Sequence, residues 1–197
     1  MTAESLLGIG VGLALAAAAG FRVFVPLLVL SLAARGGWVE LSPSFAWLSS
    51  TSASIALATA MVLEIAAYYV PFFDNMLDGL AAPIAVLAGI LASASVLTDL
   101  PPWLQYSIAI IGAGGTAGVV HASTSLLRLK SSAATAGFGN PILATLELAG
   151  SVLIAVLAVL APLFALAAVV AIVWLVVKRV TAWRHSSGRA AAGPSTR

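Results

Sequence analysis

The chain has 197 residues, 61% of them hydrophobic and only 8% charged, with a net charge of +2. Water-soluble domains carry about 25% charged residues, so most of this surface must face something other than water, and lipid fits. No part reads as a soluble enzyme domain, and the absence of cysteine excludes disulfides, zinc–thiolate sites, iron–sulfur clusters and a thiol nucleophile.

The apolar runs are continuous and about 16 to 25 residues long, as membrane helices require, where barrel strands would alternate over about 10 residues. The fold class read from them is an all-α integral membrane protein of about six transmembrane helices. Residues 1–180 form a single polytopic membrane domain and 181–197 a disordered basic cytoplasmic tail. The basic residues flank the apolar runs rather than forming a face, which points to topology and not to nucleic acid.

The first apolar stretch, Ser5 to Ala34, has no basic leader and no clear cleavage site, so it is read as retained. As one straight helix it would measure roughly 45 Å, more than the hydrocarbon core. At mid-length it reads Gly20-Phe21-Arg22-Val23-Phe24-Val25-Pro26. Pro26 has no N–H to offer the Arg22 carbonyl, so a broken or re-entrant segment is expected at Gly20–Pro26. Trp38, Phe45 and Trp47 then mark an interface.

A second span covers Ser52 to Val70, with Glu64 inside it. Pro71 to Asn75 is a predicted turn with Asp74 as helix cap, and the third span is Leu77 to Thr98. The fourth, Leu104 to Leu127, holds a glycine-rich strip and His121. Asn140-Pro141 is a predicted helix start, with Asn as the cap and Pro at the first position. From there the fifth span runs to Ala161 with Glu147 in its second turn, and Pro162 separates it from the sixth, Leu163 to Val177. Lysines and arginines at 128, 130, 178, 179, 184, 189 and 197 fall on one side, which places the C-terminus in the cytoplasm.

Ala19-Gly20-Phe21 with Pro26-Leu27-Leu28 echoes Ala136-Gly137-Phe138 with Pro141-Ile142-Leu143. Paired Gly/Pro-interrupted segments of this kind point to a 3+3 inverted repeat, with chance matching of a biased composition as the alternative.

Arg22 is the sharpest functional signal. An arginine within an apolar run costs at least about 2.5–3.5 kcal/mol, so a carboxylate, free carbonyls, a wet cavity or an anionic substrate must offset it. Two readings stand side by side: a structural ion pair with Glu64 or Glu147, and a guanidinium fork that grips an anion. Glu64 is deep enough for an ionised carboxylate to be costly, and a protonatable acid there can carry a coupling proton. Arg22, Glu64, Glu147 and Asn140 are the candidate substrate-binding residues.

Asp74 and Asp78, one turn apart, and His121 are candidates for an entrance or gate; for the two aspartates capping and dipole compensation are favoured. Gly114 and Gly118 form a G-x-x-x-G whose favoured use is helix packing. His121 lacks a second ligand nearby, so no metal site and no cofactor is expected. Arg128 and Lys130 are assigned to topology, with contact to lipid phosphate as the alternative. No phosphate loop, nucleophile elbow or zinc-protease motif occurs, and an enzyme ranks last.

Gly20–Pro26, Tyr69–Asn75 with Leu77-Asp78-Gly79, Gly114–Gly118 with His121, and Gly137–Pro141 together resemble a bacterial integral-membrane family defined only as a domain of unknown function, family four-one-two-six. That resemblance spans nearly the whole chain to about residue 160 and implies no activity. A looser similarity of architecture is to lipid scramblases and polyprenyl-phosphate carriers. The leading expectation is a small transporter or flippase for an anionic solute or lipid headgroup. A homo-oligomeric ion channel and a membrane scaffold are the alternatives. The expected partners are the bilayer, an anion or lipid, and further copies of the chain.

Overall fold

The structure, a computed structural model, describes residues 3–68, 71–135 and 137–191, without the side chains of residues 3, 71–80, 176, 177 and 179–191. Among these residues every regular element is a helix. In chain order they are α1 (Ala3–Phe21), α2 (Phe24–Arg35), a short 3₁₀ turn (Pro43–Ser49), α3 (Thr51–Tyr68) and α4 (Pro71–Val96). Then follow α5 (Pro102–Ser107), which passes through a π-helical stretch (Ile108–Ala113) into α6 (Gly114–Thr135), then α7 (Asn140–Leu160) and α8 (Pro162–Ala191).

Four helical segments among the described residues are long and apolar enough to cross a membrane: Glu4–Phe21, Thr51–Tyr68, Pro102–Thr135 and Asn140–Leu160. The expected six is therefore corrected. Three further apolar stretches whose side chains are described, helix α2 (Phe24–Arg35), Ala81–Val96 within α4 and Pro162–Leu175 within α8, are shorter. The run from Ser5 to Ala34 divides at Arg22–Val23, and Ala161 is the one-residue joint between α7 and α8. The last helix also continues to Ala191, past the boundary at 180 where a disordered tail was expected.

Helix α1 is the axis around which the others pack. Its residues Ala14 to Ala19 are fully buried, although the helix is uniformly apolar and its sequence offers no polar face to expose. Without a hydrophobic drive between helices in lipid, close approach through small side chains supplies the contact energy. A Cβ on Gly20 would lie 2.7 Å from both the Ala117 carbonyl oxygen and the Val120 Cβ. One on Gly89 would lie 2.8 Å from the Ala117 Cβ and 3.2 Å from the Ala16 Cβ. These two glycines close the seam where α1, α4 and α6 meet.

Gly114 and Gly118 face α4 more loosely, with a Cβ meeting Ile90 at 3.1 Å and Val86 at 3.4 Å respectively. The tightest approaches thus fall at glycines other than the G-x-x-x-G pair. Across α1 and α4, Gly8 and Gly12 oppose Val96 and Ser93, while Ala16 opposes Gly89, so the two run antiparallel. The α1–α6 contacts run in parallel, with Gly20 against Ala117 and Val120. Trp38, Trp47 and Trp103 are exposed, and the Ser42 N–H bonds to the Ser95 carbonyl beside them in the chain. These tryptophans mark the end of the bundle opposite the C-terminus of α1, as interfacial anchors do.

Two helix starts differ from expectation. Helix α4 begins at Pro71, so Asp74 falls within its first turn and not at the cap. The side chains of Asp74 and Asp78 lie outside the described ones. Helix α7 begins at Asn140 with Gly139 at the cap position, and no side chain caps it. Gly137, at φ +91°, makes the left-handed step that turns the chain from α6 into α7.

Candidate functional site

The site grows out of the break between α1 and α2. The Arg22 N–H still bonds to the Ala18 carbonyl at 3.0 Å, and there α1 ends. Helix α2 then opens with amides that have no helical acceptor. Glu64, from the last turns of α3, supplies both: its Oε1 accepts from the Val23 N–H at 2.8 Å and its Oε2 from the Phe24 N–H at 3.1 Å. A carboxylate spanning two N–H groups at a helix start also meets the positive end of the helix dipole. Glu64 is thus a cap delivered from another helix, not the partner of Arg22.

The Arg22 side chain is 2% exposed. Its Nη2 donates to the Ala144 carbonyl at 2.9 Å and lies 3.7 Å from Glu147 Oε2. Its Cζ sits 3.9 Å from the centroid of the Tyr68 ring. Its Nε and Nη1 are buried and have no acceptor among the described residues. Arg128, 4% exposed, holds Glu147 in a two-point grip: Nε to Oε1 at 3.0 Å and Nη2 to Oε2. The Arg128 Cζ lies 4.2 Å from the same Tyr68 ring. Glu147 is therefore shared by two guanidiniums, and Tyr68 packs against both. Cation–π contacts of this desolvated kind contribute about 2 kcal/mol each. Below the cluster, the Ser151 hydroxyl donates to the Ala18 carbonyl at 2.9 Å and ties α7 to α1.

The sequence-predicted residues divide accordingly. Arg22 and Glu147 meet directly, and Glu64 adjoins them through Val23 at the start of α2. Asn140 stands apart, its Nδ2 donating to the Ser132 hydroxyl at 2.9 Å. His121 is buried on α6, with Nε2 3.4 Å from the Ser125 hydroxyl. Among the described residues no group of three His, Asp or Glu could hold a metal ion.

Depth also changes. Arg22 was placed at the middle of a long run, but the break makes it the end of a 19-residue helix. Tyr68 ends α3, and Glu147 sits in the second turn of α7. The cluster accordingly lies toward one end of the bundle and not at its mid-height.

Sequence reasoning missed Arg128 and Tyr68. Arg128 was assigned to topology because it follows an apolar run, yet α6 continues to Thr135 and buries it. A signal was present: His121, Thr124 and Arg128 recur at helical spacing and form one buried polar stripe. Tyr68 follows Glu64 by one turn on the buried face of α3.

A helical bundle with long apolar spans, exposed interfacial tryptophans and a buried knot of charge defines a polytopic membrane protein. The chain belongs to the family described as Domain of unknown function (DUF4126), which it matches over residues 9–182. No curated protein and no solved structure matches it significantly.

Proposed function

We propose that the protein is a membrane carrier, without enzymatic chemistry, for an anionic solute or lipid headgroup, with Arg22 as the anion's ligand. One observation carries this reading: Arg22 is buried to 2% exposure while its Nε and Nη1 lack an acceptor among the described residues. A buried donor without a partner costs about 1–3 kcal/mol, so two on one guanidinium favour an acceptor that comes and goes. Glu147 and the Ala144 carbonyl hold the remaining face of the guanidinium in place for it. Protonation of Glu64 would weaken its hold on the Val23 and Phe24 N–H groups, which links proton uptake to the start of α2.

Two finer features belong to the same proposal. Helix α2 runs antiparallel to α3, with Phe24 beside Glu64 and Ser31 bonded to the Ser54 hydroxyl at 2.8 Å. This supports a re-entrant α1–α2 hairpin whose tip carries Arg22. Exposed Lys130 and the lysines and arginines of the C-terminal segment support a cytoplasmic C-terminus, and the family resemblance supports a bacterial inner membrane.

The test is binding of a panel of small anions and anionic lipids to purified protein, wild type against Arg22→Gln, read by native mass spectrometry. The carrier reading expects one anion retained by the wild type and lost in the variant at unchanged thermal stability. Equal retention removes Arg22 as a ligand. In reconstituted vesicles, proton-linked exchange should be saturable and damaged by Glu64→Gln. A second reading, a structural ion knot in an assembly protein, is favoured by the two-point grip of Arg128 on Glu147. It expects Arg22→Gln to unfold the protein without changing any binding.

A further inference from the structure

A cavity of about 420 Å³ lies between α2, α3 and α4, within the roughly 300–1,000 Å³ of small-molecule sites. Apart from Glu64 and Tyr68, its lining side chains are hydrocarbon, among them Ala60, Leu63, Ala67 and Ile84. Leu63 and Ile84 are themselves 65% and 45% exposed. The cavity therefore opens sideways onto the apolar outer face of the bundle, where lipid chains lie. A hydrated inorganic ion has no reason to enter such a space, since its lost hydration would not be replaced.

Tyr68, which is 6% exposed, is one of the residues that line this cavity. The ring of that tyrosine carries the Arg22 guanidinium at 3.9 Å and the Arg128 guanidinium at 4.2 Å. One aromatic ring is thus the partition between a hydrocarbon cavity open to the bilayer and a buried cationic knot. From these juxtaposed parts we infer that the carried anion is an anionic phospholipid. One acyl chain occupies the cavity, its phosphate binds the Nε and Nη1 of Arg22, and Tyr68 turns aside to join the two compartments. The charge complement is specific: the two donors on Arg22 that lack an acceptor among the described residues are cationic, and Tyr68 both lines the apolar cavity and stacks on that guanidinium. This rests on the anion-carrier reading and narrows its substrate to a lipid.

The experiment titrates the purified full chain with phosphatidylglycerol, phosphatidylcholine and inorganic phosphate, read by native mass spectrometry, for wild type, Ala60→Trp and Arg22→Gln. The expected result for the wild type is retention of phosphatidylglycerol over phosphatidylcholine by about tenfold, a gap a charge-assisted contact readily supplies. Ala60→Trp, which fills the cavity, should lower that retention by about tenfold or more. Arg22→Gln should abolish the preference for the anionic lipid. Equal retention of the two lipids, or an unaltered Ala60→Trp, overturns the inference.

If Ala60→Trp destabilises the fold, the wild type alone decides through chain length. Dodecyl phosphate should bind at least about tenfold more tightly than hexyl phosphate, because added buried methylenes each contribute, and equal binding overturns the proposal. The two levels separate cleanly. Inorganic phosphate bound by wild type, lost in Arg22→Gln and indifferent to Ala60→Trp leaves the carrier reading and removes the lipid. Retention of every ligand unchanged by Arg22→Gln removes both.

Discussion

The seam where α1, α4 and α6 meet and the charged knot at the C-terminal end of α1 are held by opposite means. At the seam, Gly20, Gly89, Ala16 and Ala117 bring helices together by lacking side-chain volume. At the knot, the Arg22 and Arg128 guanidiniums hold helices together by sharing the Glu147 carboxylate and the Tyr68 ring. The first region fails when an atom is added and the second when one is taken away. A membrane interior makes both demands acute: apolar surface alone gives helices no reason to associate, and an orphaned charge has no water to turn to.

The largest effect is expected from taking away. Glu147→Ala leaves two buried guanidiniums without their shared carboxylate, and such losses cost about 3–5 kcal/mol. Thermal unfolding in detergent measures it, alongside Arg128→Gln and the double variant Glu147→Ala with Arg128→Gln. If the knot acts as a unit, the double variant should be more stable than the sum of its single losses predicts. Additive losses would mean that Glu147 and Arg128 do not act as a pair.

Adding volume comes next. Gly20→Val sets a branched side chain against the Ala117 carbonyl and Val120, where even one Cβ would lie 2.7 Å away. Overpacking of this kind costs about 1–3 kcal/mol. Gly115→Val is the matched control, since nothing lies within 4 Å of a Cβ there. Equal melting temperatures for the two variants would remove the seam as a point of close approach.

How much of this was legible in the sequence follows the same division. The all-helical membrane class was readable because composition and run length answer directly to solvent. The break at Arg22 was readable because Pro26 removes a particular donor from a particular carbonyl. The residue that receives the freed amides was not, since Glu64 reaches them from 40 positions along the chain. Arg128 was hidden for a different reason: a basic residue after an apolar run is ordinarily a topology marker, and only the continuation of α6 to Thr135 buries it. The count of six spans exceeded the four found among the described residues because the described parts of the third and sixth, Ala81–Val96 and Pro162–Leu175, are shorter than a crossing needs. Close-approach glycines were legible as a strip but not individually, since Gly118 and Gly20 look alike until their neighbours are in place.

Glu64→Gln lies between the two regions in character. The amide keeps one oxygen for the Val23 or the Phe24 N–H but turns an NH2 group toward the other. One buried N–H then faces a donor, and the start of α2 loses the charge that meets its dipole, a combined cost of about 1–2 kcal/mol. Hydrogen exchange at the first amides of α2 is the measurement, because global melting averages the effect away. Faster exchange at Val23 and Phe24 with the rest of α2 unchanged is the expected result, and unaltered protection there would remove Glu64 as the cap.

The smallest effect belongs to Gly118→Ala. Its added Cβ meets Val86 Cγ2 at 3.4 Å, an ordinary van der Waals distance. Alanine also forms helix more readily than glycine by about 1 kcal/mol, which offsets any adjustment Val86 must make. The melting temperature should therefore stay within a degree or two of wild type, or rise, roughly what a change of about 0.5 kcal/mol allows in a domain of this size. Gly114→Ala should fall slightly below it, since its Cβ meets Ile90 at 3.1 Å. A marked loss at Gly118 would mean that α4 and α6 approach more closely than Val86 and Gly118 allow here. The G-x-x-x-G motif would then be the seam's tight point after all, in place of Gly20 and Gly89.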